Sequence, residues 1–339
     1  MIPSYSTPND NRRVLLARRP DGIPVAADFT IERTAVPQVR EGAVLVRNLY
    51  LSPDPVQRGW AANPNVMPIG APMRALSLGI VIESRVPAIA TGDLVYGFLG
   101  WQDYAAAYPS DLLSHVRKPR ANASAYAGVL GMPGVTAWLA LADLAPPKPG
   151  QTLLVSTAAG AVGSVVGQIA RAHNARTIGL TGSDDKVARC AERYGYDSAF
   201  NYKTVDLSKI LSDAATDGFD TFFDNTGGWI ADHAIRVMAR HGRIIQCGTA
   251  ATASWLPPPS GLRPEREILT RVLTWSGFYI FDHVARFGEA ISELSDMIEA
   301  GTLAYDEDIE DGFERITGAL ETLFTGNNYG KKLIFIGDA

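Results

Sequence analysis

The chain has 339 residues and a formal net charge of −5, with 46% hydrophobic and 20% charged residues. That length is too great for one ordinary core and predicts two domains in a globular protein. With no basic excess to neutralise phosphates, a general nucleic-acid partner is disfavoured. The two cysteines, Cys190 and Cys247, both lie in apolar stretches and read as reduced core residues of a cytoplasmic protein, not as a disulfide. The N-terminal MIPSYSTPNDNRR lacks the apolar core of a signal peptide, and no apolar run is long enough to span a membrane, so a membrane partner is not expected.

The first third alternates β-forming runs with turn residues. Ala43–Tyr50 (AVLVRNLY) and Leu78–Ser84 (LGIVIES) read as strands, and Gly92–Phe98 (GDLVYGF) as a turn followed by a third. Proline breaks at Pro53, Pro55, Pro64, Pro68 and Pro72 separate them, the pattern of a mostly antiparallel β domain. Near Gly131 the rhythm changes. Leu153–Thr157 is a short apolar strand, followed by a glycine turn and a helix to about His173. Strands at Arg176–Thr181, Ala199–Tyr202, Asp220–Asn225 and Arg243–Gly248 then alternate with helices at Asp184–Tyr194, Val205–Ala214 and around Ile230–Ala239, with Ser183 placed as an N-cap. This alternation predicts an α/β, doubly wound parallel sheet with helices on both faces. After about Gly301 it stops. A helix at Phe313–Phe324 and a final apolar strand at Lys332–Ile336 follow, and that strand needs a sheet to join. The expectation is a discontinuous β domain, 1–130 with 302–339, around a nucleotide-binding domain, 131–301.

The most informative local segment is LLVSTAAGAVGS, Leu153–Ser164, which puts Gly160, Ala161, Val162 and Gly163 between a strand and a helix. Glycine lets the backbone approach a pyrophosphate and lets the helix pack closely, while the helix N-terminus offers free N–H groups and a positive dipole end. The first glycine of a full G-x-G-x-x-G is absent, so a ligand-free glycine turn stays open as the alternative. An NAD site calls for an acid at the end of the second strand, roughly 20 residues on. Here the strand ends Thr181-Gly182-Ser183, with Asp184 and Asp185 in first-turn helix positions and Lys186 just beyond. Small residues and a cation suit a 2′-phosphate, although Lys186 could equally be a solvated helix lysine.

Taken together, NLYLSPDPVQRG, GDLVYGFLGWQDY, GMPGVTAW, AAGAVGSVVGQIA, FNYKTV, FDNTGG, RIIQCG and GNNYGKK occur in an order that resembles the medium-chain dehydrogenase/reductase superfamily over nearly the whole chain. More narrowly, the chain is similar to the zinc-independent prostaglandin reductases, alkenal double-bond reductases and curcumin-reductase-like enzymes. The resemblance implies a Rossmann-type doubly wound domain plus a GroES-like β domain, NADPH as cofactor and a homodimer, for which the WSGFYIF stretch offers an edge strand. It implies that Gly160 to Gly163 hold the pyrophosphate and that Lys186 and Tyr202 grip the 2′-phosphate. Asn225, Cys247 and Gly248 would line the adenosine and nicotinamide-ribose side. Phe278, Tyr279 and Ile280 match a strand beside the nicotinamide, and Asn328 matches an asparagine that reaches the cofactor. Each has a structural alternative: Cys247 and Phe278 as core, Asn225 and Asn328 as turn residues.

A catalytic zinc needs Cys and His ligands from the first domain, and a structural zinc four clustered Cys. The first 150 residues hold no cysteine and one histidine, His115, so no metal is expected. The implied reaction places a hydride on the β-carbon of an α,β-unsaturated carbonyl compound while a donor meets the charge that develops on oxygen. The tyrosine proposed for that role in the family falls here near Ala253. Tyr50 is the first substitute, with Tyr279, Ser254 or the cofactor's ribose hydroxyl behind it; a plain wall residue is the alternative for Tyr50. Gln57 and Trp138 also replace common family residues, which suggests a different substrate shape. The competing readings are a quinone reductase of the same fold and a nucleotide-binding protein without turnover.

Overall fold

The computed structural model describes residues 1–252, 259–326 and 328–338. It divides into two compact units, Met1–Gly131 with Glu307–Ala339, and Met132–Asp306. The chain leaves the second unit later than the 301/302 boundary expected above. The reason is local: the Ala304 N–H donates to Gln168 Oε1 at 2.7 Å, and Asp306 accepts from Arg189 Nη1 at 2.5 Å and Tyr194 Oη at 2.8 Å. These bonds tie 304–306 to the second unit.

The first unit begins with an antiparallel pair, β1 (Asp10–Leu16) and β2 (Phe29–Ala35). Next come β3 (Val44–Leu51), helix α1 (Val56–Ala62), β4 (Ser77–Ser84), β5 (Leu94–Gly97), β6 (Tyr104–Ala107) and β7 (Leu112–Val116). β3 pairs antiparallel with both β4 and β6, and every one of its residues is buried. A strand so placed must satisfy its one charged residue internally. Arg47 does so through Ser6 O at 2.8 Å, Asn48 O at 2.8 Å, Ile336 O at 2.6 Å and the Asp103 carboxylate at 3.3 Å.

The second unit opens with α2 (Met132–Leu144) and β8 (Thr152–Ser156), and then runs α3 (Gly163–Ala172), β9 (Arg176–Thr181), α4 (Asp184–Glu192), β10 (Ser198–Asn201), α5 (Leu207–Ala214), β11 (Phe219–Asp224), α6 (Gly228–Ala234), β12 (Met238–Gln246), α7 (Glu265–Arg271), β13 (Thr274–Gly277) and α8 (Phe287–Glu299). Its six strands are all parallel, in the order β10-β9-β8-β11-β12-β13. Both faces of such a sheet are covered, so its strands read as continuous apolar runs. In β11, Phe222 and Phe223 point to opposite faces and both are fully buried. Helix starts follow side-chain caps: Ser183 accepts from the Lys186 N–H, and Asp206 from the Lys209 N–H.

The chain then completes the first unit with β14 (Glu307–Asp311), α9 (Ile316–Thr325) and β15 (Lys331–Phe335). β15 lies between β14, to which it is parallel, and β3, to which it is antiparallel, in a sheet ordered β14-β15-β3-β4-β5-β7. Trp101, Phe29, Phe313, Ile316 and Leu320 form much of this unit's core. Among the described residues no helix is long and apolar enough to cross a membrane.

Candidate functional site

Numbering the second unit's strands from one, their spatial order is 3-2-1-4-5-6. The direction of winding reverses between β8 and β11, and in open parallel sheets ligands bind beyond the carboxyl ends of the strands at that point. The loop that leaves β8 there carries Gly160 to Gly163, and the one that leaves β11 carries Asn225.

After β8 the chain turns at Thr157, which adopts a left-handed φ of 55°. The position where a full fingerprint has its first glycine, two residues before Gly160, is the next residue, Ala158, which is fully buried. The turn closes through the Gly160 N–H to Thr157 O at 2.9 Å and the Ser164 N–H to Gly160 O at 2.9 Å, and Gly163 opens α3. A Cβ on Gly163 would lie 2.9 Å from Ala158 Cα and closer still to Thr157 O. One on Gly160 would meet Thr157 Cγ2 at 2.8 Å. Gly163, crowded by backbone, is therefore required by the tightness of the turn itself, while Gly160 is crowded first by a side-chain methyl. Tyr196 Oη donates to Gly163 O at 2.6 Å and anchors the start of the helix.

The loop after β11 is built on a residue that sequence reasoning did not single out. Asp224 is fully buried. It accepts from Ser156 Oγ at 2.8 Å, from the N–H groups of Thr226 and Gly227 at 2.9 and 3.0 Å, and from Gln246 Nε2 at 2.9 Å. Asn225 is tied to the end of β8 through its own N–H to Ser156 Oγ and its Nδ2 to Ser156 O, both 2.8 Å. Cys247 and Gly248 donate their N–H groups to Asp224 O at 2.8 and 3.1 Å. Gly248 packs so closely that a Cβ would lie 2.5 Å from Asn225 O. Burial, then the charge of Asp224, pushes the Cys247 thiol up to about 12. It is thus no thiolate at neutral pH.

Beyond β9, Tyr202 and Lys203 close on Gly182, with Ser183 and Lys186 following it at the start of α4. Ser183 caps α4, and Lys186 lies in its first turn. A Cβ on Gly182 would touch Tyr202 Oη at 2.9 Å and Lys203 Cε at 3.4 Å. Burial, then repulsion from Lys203, holds the Lys186 ammonium below the usual lysine range. Burial raises the Tyr202 phenol, whose ring meets Trp229 edge-on at 5.8 Å. Lys203 and Trp229 were missed in the sequence; the cation adjacent to Tyr202 was the available signal for the first. Asp184, the acid placed to compete for a ribose hydroxyl, instead accepts from Asn201 Nδ2 at 2.8 Å.

Phe278, Tyr279 and Ile280 do not lie in a strand. β13 ends at Gly277; Phe278 follows it with its N–H on Gln246 O at 3.0 Å, and Ile280 opens a 3₁₀ turn. Phe278 stacks on His283 at 4.6 Å, while Tyr279 is 56% exposed and so reads as surface.

Tyr50 and Asn328 belong to the first unit. Tyr50 is 8% exposed and packs on Phe335 at 5.2 Å. Burial, then the charges of Glu307 and Asp311, raises its phenol and keeps it protonated. Asn328 lies half-buried between α9 and β15. Gln57, expected to reshape the substrate site, is fully buried and bonded to its own loop through the Asp54 N–H at 2.8 Å and Ser52 O at 3.1 Å, so it is structural. Trp138 lies beneath the Arg286 guanidinium at 6.0 Å in the second unit. Ala253 and Ser254 fall outside the described residues. Among those described, no group of three or more His, Cys, Asp or Glu side chains could hold a metal ion.

A parallel sheet in this order, with a glycine turn at its switch point, defines the Rossmann class of dinucleotide-binding proteins. Comparison with known proteins narrows the class. The family described as N-terminal domain of oxidoreductase matches residues 12–114, and the one described as zinc-binding dehydrogenase matches 161–296. The chain is 41% identical to YfmJ of Bacillus subtilis, over 96% of this chain and 98% of that one. It is 34% identical to the 2-alkenal reductase (NADP(+)-dependent) of Nicotiana tabacum, over 96% and 97%. The crystal structure of CurA from Vibrio vulnificus in complex with NADPH aligns with a TM-score of 0.87 at 31% identity, over 96% of this chain and 98% of that one. The chain belongs to the zinc-independent reductases of the medium-chain dehydrogenase/reductase superfamily.

Proposed function

We propose that this protein is an NADPH-dependent reductase of the carbon–carbon double bond of α,β-unsaturated carbonyl compounds. The observation that carries the cofactor half is that Tyr202 and Lys203 close on Gly182, with Ser183 and Lys186 following it and Asp184 drawn away onto Asn201. Two cations and two hydroxyls suit a phosphate. The substrate half rests on the likeness to the tobacco 2-alkenal reductase.

The residues present fit a dinucleotide. Turn 157–163 would take the pyrophosphate, Lys186, Tyr202 and Lys203 the 2′-phosphate, and Asn225, Gly248 and Phe278 the far side, with Asn328 as a further contact. When bound, the cofactor supplies a hydride. The protein's own part is to orient substrate and to meet the charge that grows on the carbonyl oxygen. The Tyr50 hydroxyl, kept protonated by its surroundings, is the donor proposed for that oxygen. The α-carbon then takes a proton from this phenol or from solvent. We further infer a homodimer: β13 is an edge strand, and Trp275 and Tyr279 beside it are exposed.

Steady-state NADPH oxidation with matched enones, enals and quinones tests the activity. Turnover confined to quinones would replace this reading with the quinone-reductase one. Intact NADPH binding with no turnover on any acceptor would leave a nucleotide-binding protein.

A further inference from the structure

The Asp224 side chain ends β11 without any exposure to solvent. Its Oδ1 accepts from Ser156 Oγ at 2.8 Å, the Thr226 N–H at 2.9 Å, Thr226 Oγ1 at 3.0 Å and the Gly227 N–H at 3.0 Å. Its Oδ2 accepts from the same Gly227 N–H at 3.0 Å and from Gln246 Nε2 at 2.9 Å. None of these donors is cationic. A buried anion without a counter-ion is costly unless its hydrogen bonds are complete. Asparagine in its place would turn one of the two acceptors into a donor that faces another donor.

Two of the donors have a second polar bond to make, and the carboxylate decides which way each faces. Ser156 gives its hydroxyl proton to Asp224, which leaves its oxygen to accept the Asn225 N–H at 2.8 Å. Gln246 turns its Nε2 to Asp224; the same Nε2 donates to Gly248 O at 2.7 Å, while Oε1 accepts from Trp275 Nε1 at 3.2 Å. Between them Gly227 has φ of 65° and ψ of −157°, a conformation open essentially to glycine alone, and both carboxylate oxygens take its N–H. The loop after β12 is joined to the loop after β11 by the Ala251 N–H on Thr226 O at 2.9 Å.

We infer that Asp224 is a positioning residue for the cofactor: through the Ser156 hydroxyl it sets Asn225, and through the Gln246 amide it sets Gly248. The inference rests on the reading of Asn225 and Gly248 as cofactor contacts. Asp224 is enclosed by protein and acts through these neighbours, and small displacements of such groups are costly.

The test uses the whole protein as wild type, Asp224→Asn, Ser156→Ala, Gln246→Met and Asp224→Asn/Gln246→Met. NADPH and NADH affinities by fluorescence titration, KM for NADPH and for an enone, and the urea midpoint are measured for each. Asp224→Asn should weaken both cofactors by the same factor, about tenfold, and the loss should appear in the KM for NADPH and not in that for the enone. Ser156→Ala and Gln246→Met should each lose about threefold, one arm apiece. The double variant should be no worse than Asp224→Asn, because the Gln246 arm runs through the carboxylate. A lowered urea midpoint with both affinities unchanged would overturn the inference, as would a loss confined to NADPH or losses that multiply in the double variant. If Asp224→Asn does not fold, the two single-arm variants decide: weakened binding of both cofactors upholds the inference and unchanged binding overturns it. Wild type that binds neither cofactor refutes the proposed function and this inference with it; variants that bind as well as a binding wild type refute this inference alone.

Discussion

Replacing Lys186 with alanine should divide the two nicotinamide cofactors. Its ammonium is partly desolvated and repelled by Lys203, so its proton is held less tightly than that of an ordinary lysine. A phosphate placed between the two lysines relieves both costs. A hydrogen bond to a charged group nets about 1.5–3 kcal/mol, and each 1.4 kcal/mol is tenfold in affinity. Lys186→Ala should therefore weaken NADPH by about tenfold to a hundredfold and leave NADH unchanged. Lys203 stays behind as a second, exposed cation, so the single loss should lie toward the lower end and Lys186→Ala/Lys203→Ala should lose more. The sign of the pH effect follows from the lowered ammonium pKa: NADPH affinity should fall as pH rises through it, while NADH affinity should not. Fluorescence titrations with both cofactors at low and high salt read all three effects, since screening weakens only the phosphate contact. Equal loss of NADPH and NADH on removing Lys186 would refute the assignment.

Three other outcomes are expected. Tyr50→Phe should cut kcat with an enone by roughly a hundredfold, the scale of one lost oxyanion donor, with NADPH affinity intact; because the phenol is raised, wild-type activity should persist at alkaline pH where an ordinary tyrosine would begin to ionise. Gly163→Ala should cost about 1–3 kcal/mol by overpacking against Ala158 and Thr157, read as a lower melting temperature together with lost NADPH affinity. Asp306→Asn should cost about 1–3 kcal/mol at neutral pH. Burial alone would raise that carboxyl, but Tyr194, Arg189 and Arg193 outweigh it and hold it below the usual range. The stability it brings is complete above the unfolded carboxylate pKa of roughly 3.9 and is lost as pH falls through the lowered folded value, so urea midpoints of wild type and variant should converge in acid.

The second unit was readable in the sequence because its signals are local. Arg176–Thr181 is an apolar strand in sequence and in structure, and Ser183 caps the helix that follows. The Gly160–Gly163 turn could be placed because glycine has a steric meaning that needs no distant partner. What stayed hidden depends on partners far along the chain. Asp224 reads as the polar end of a strand, and only the fold brings Ser156, Gln246 and the 226–227 backbone onto it. β14 is too acidic to look like a strand; it pairs because Lys332 neutralises Asp308 and Glu310 from the neighbouring strand. β1 opens with four polar residues, Asp10 to Arg13, and β2 carries Glu32 and Arg33 in its middle; both went unnoticed for a similar reason, their charges being paired as Arg13 with Glu32. Gln57 was misjudged because its side chain closes a loop, a role that no periodicity displays.

Reduction of an enone with NADPH deuterated at the transferable C4 position tests the central claim most directly. Mass spectrometry and proton NMR of the product should show a saturated ketone with one deuterium on the former β-carbon. Deuterium on the carbinol carbon of an allylic alcohol, or a saturated product without label, would contradict hydride delivery to the double bond.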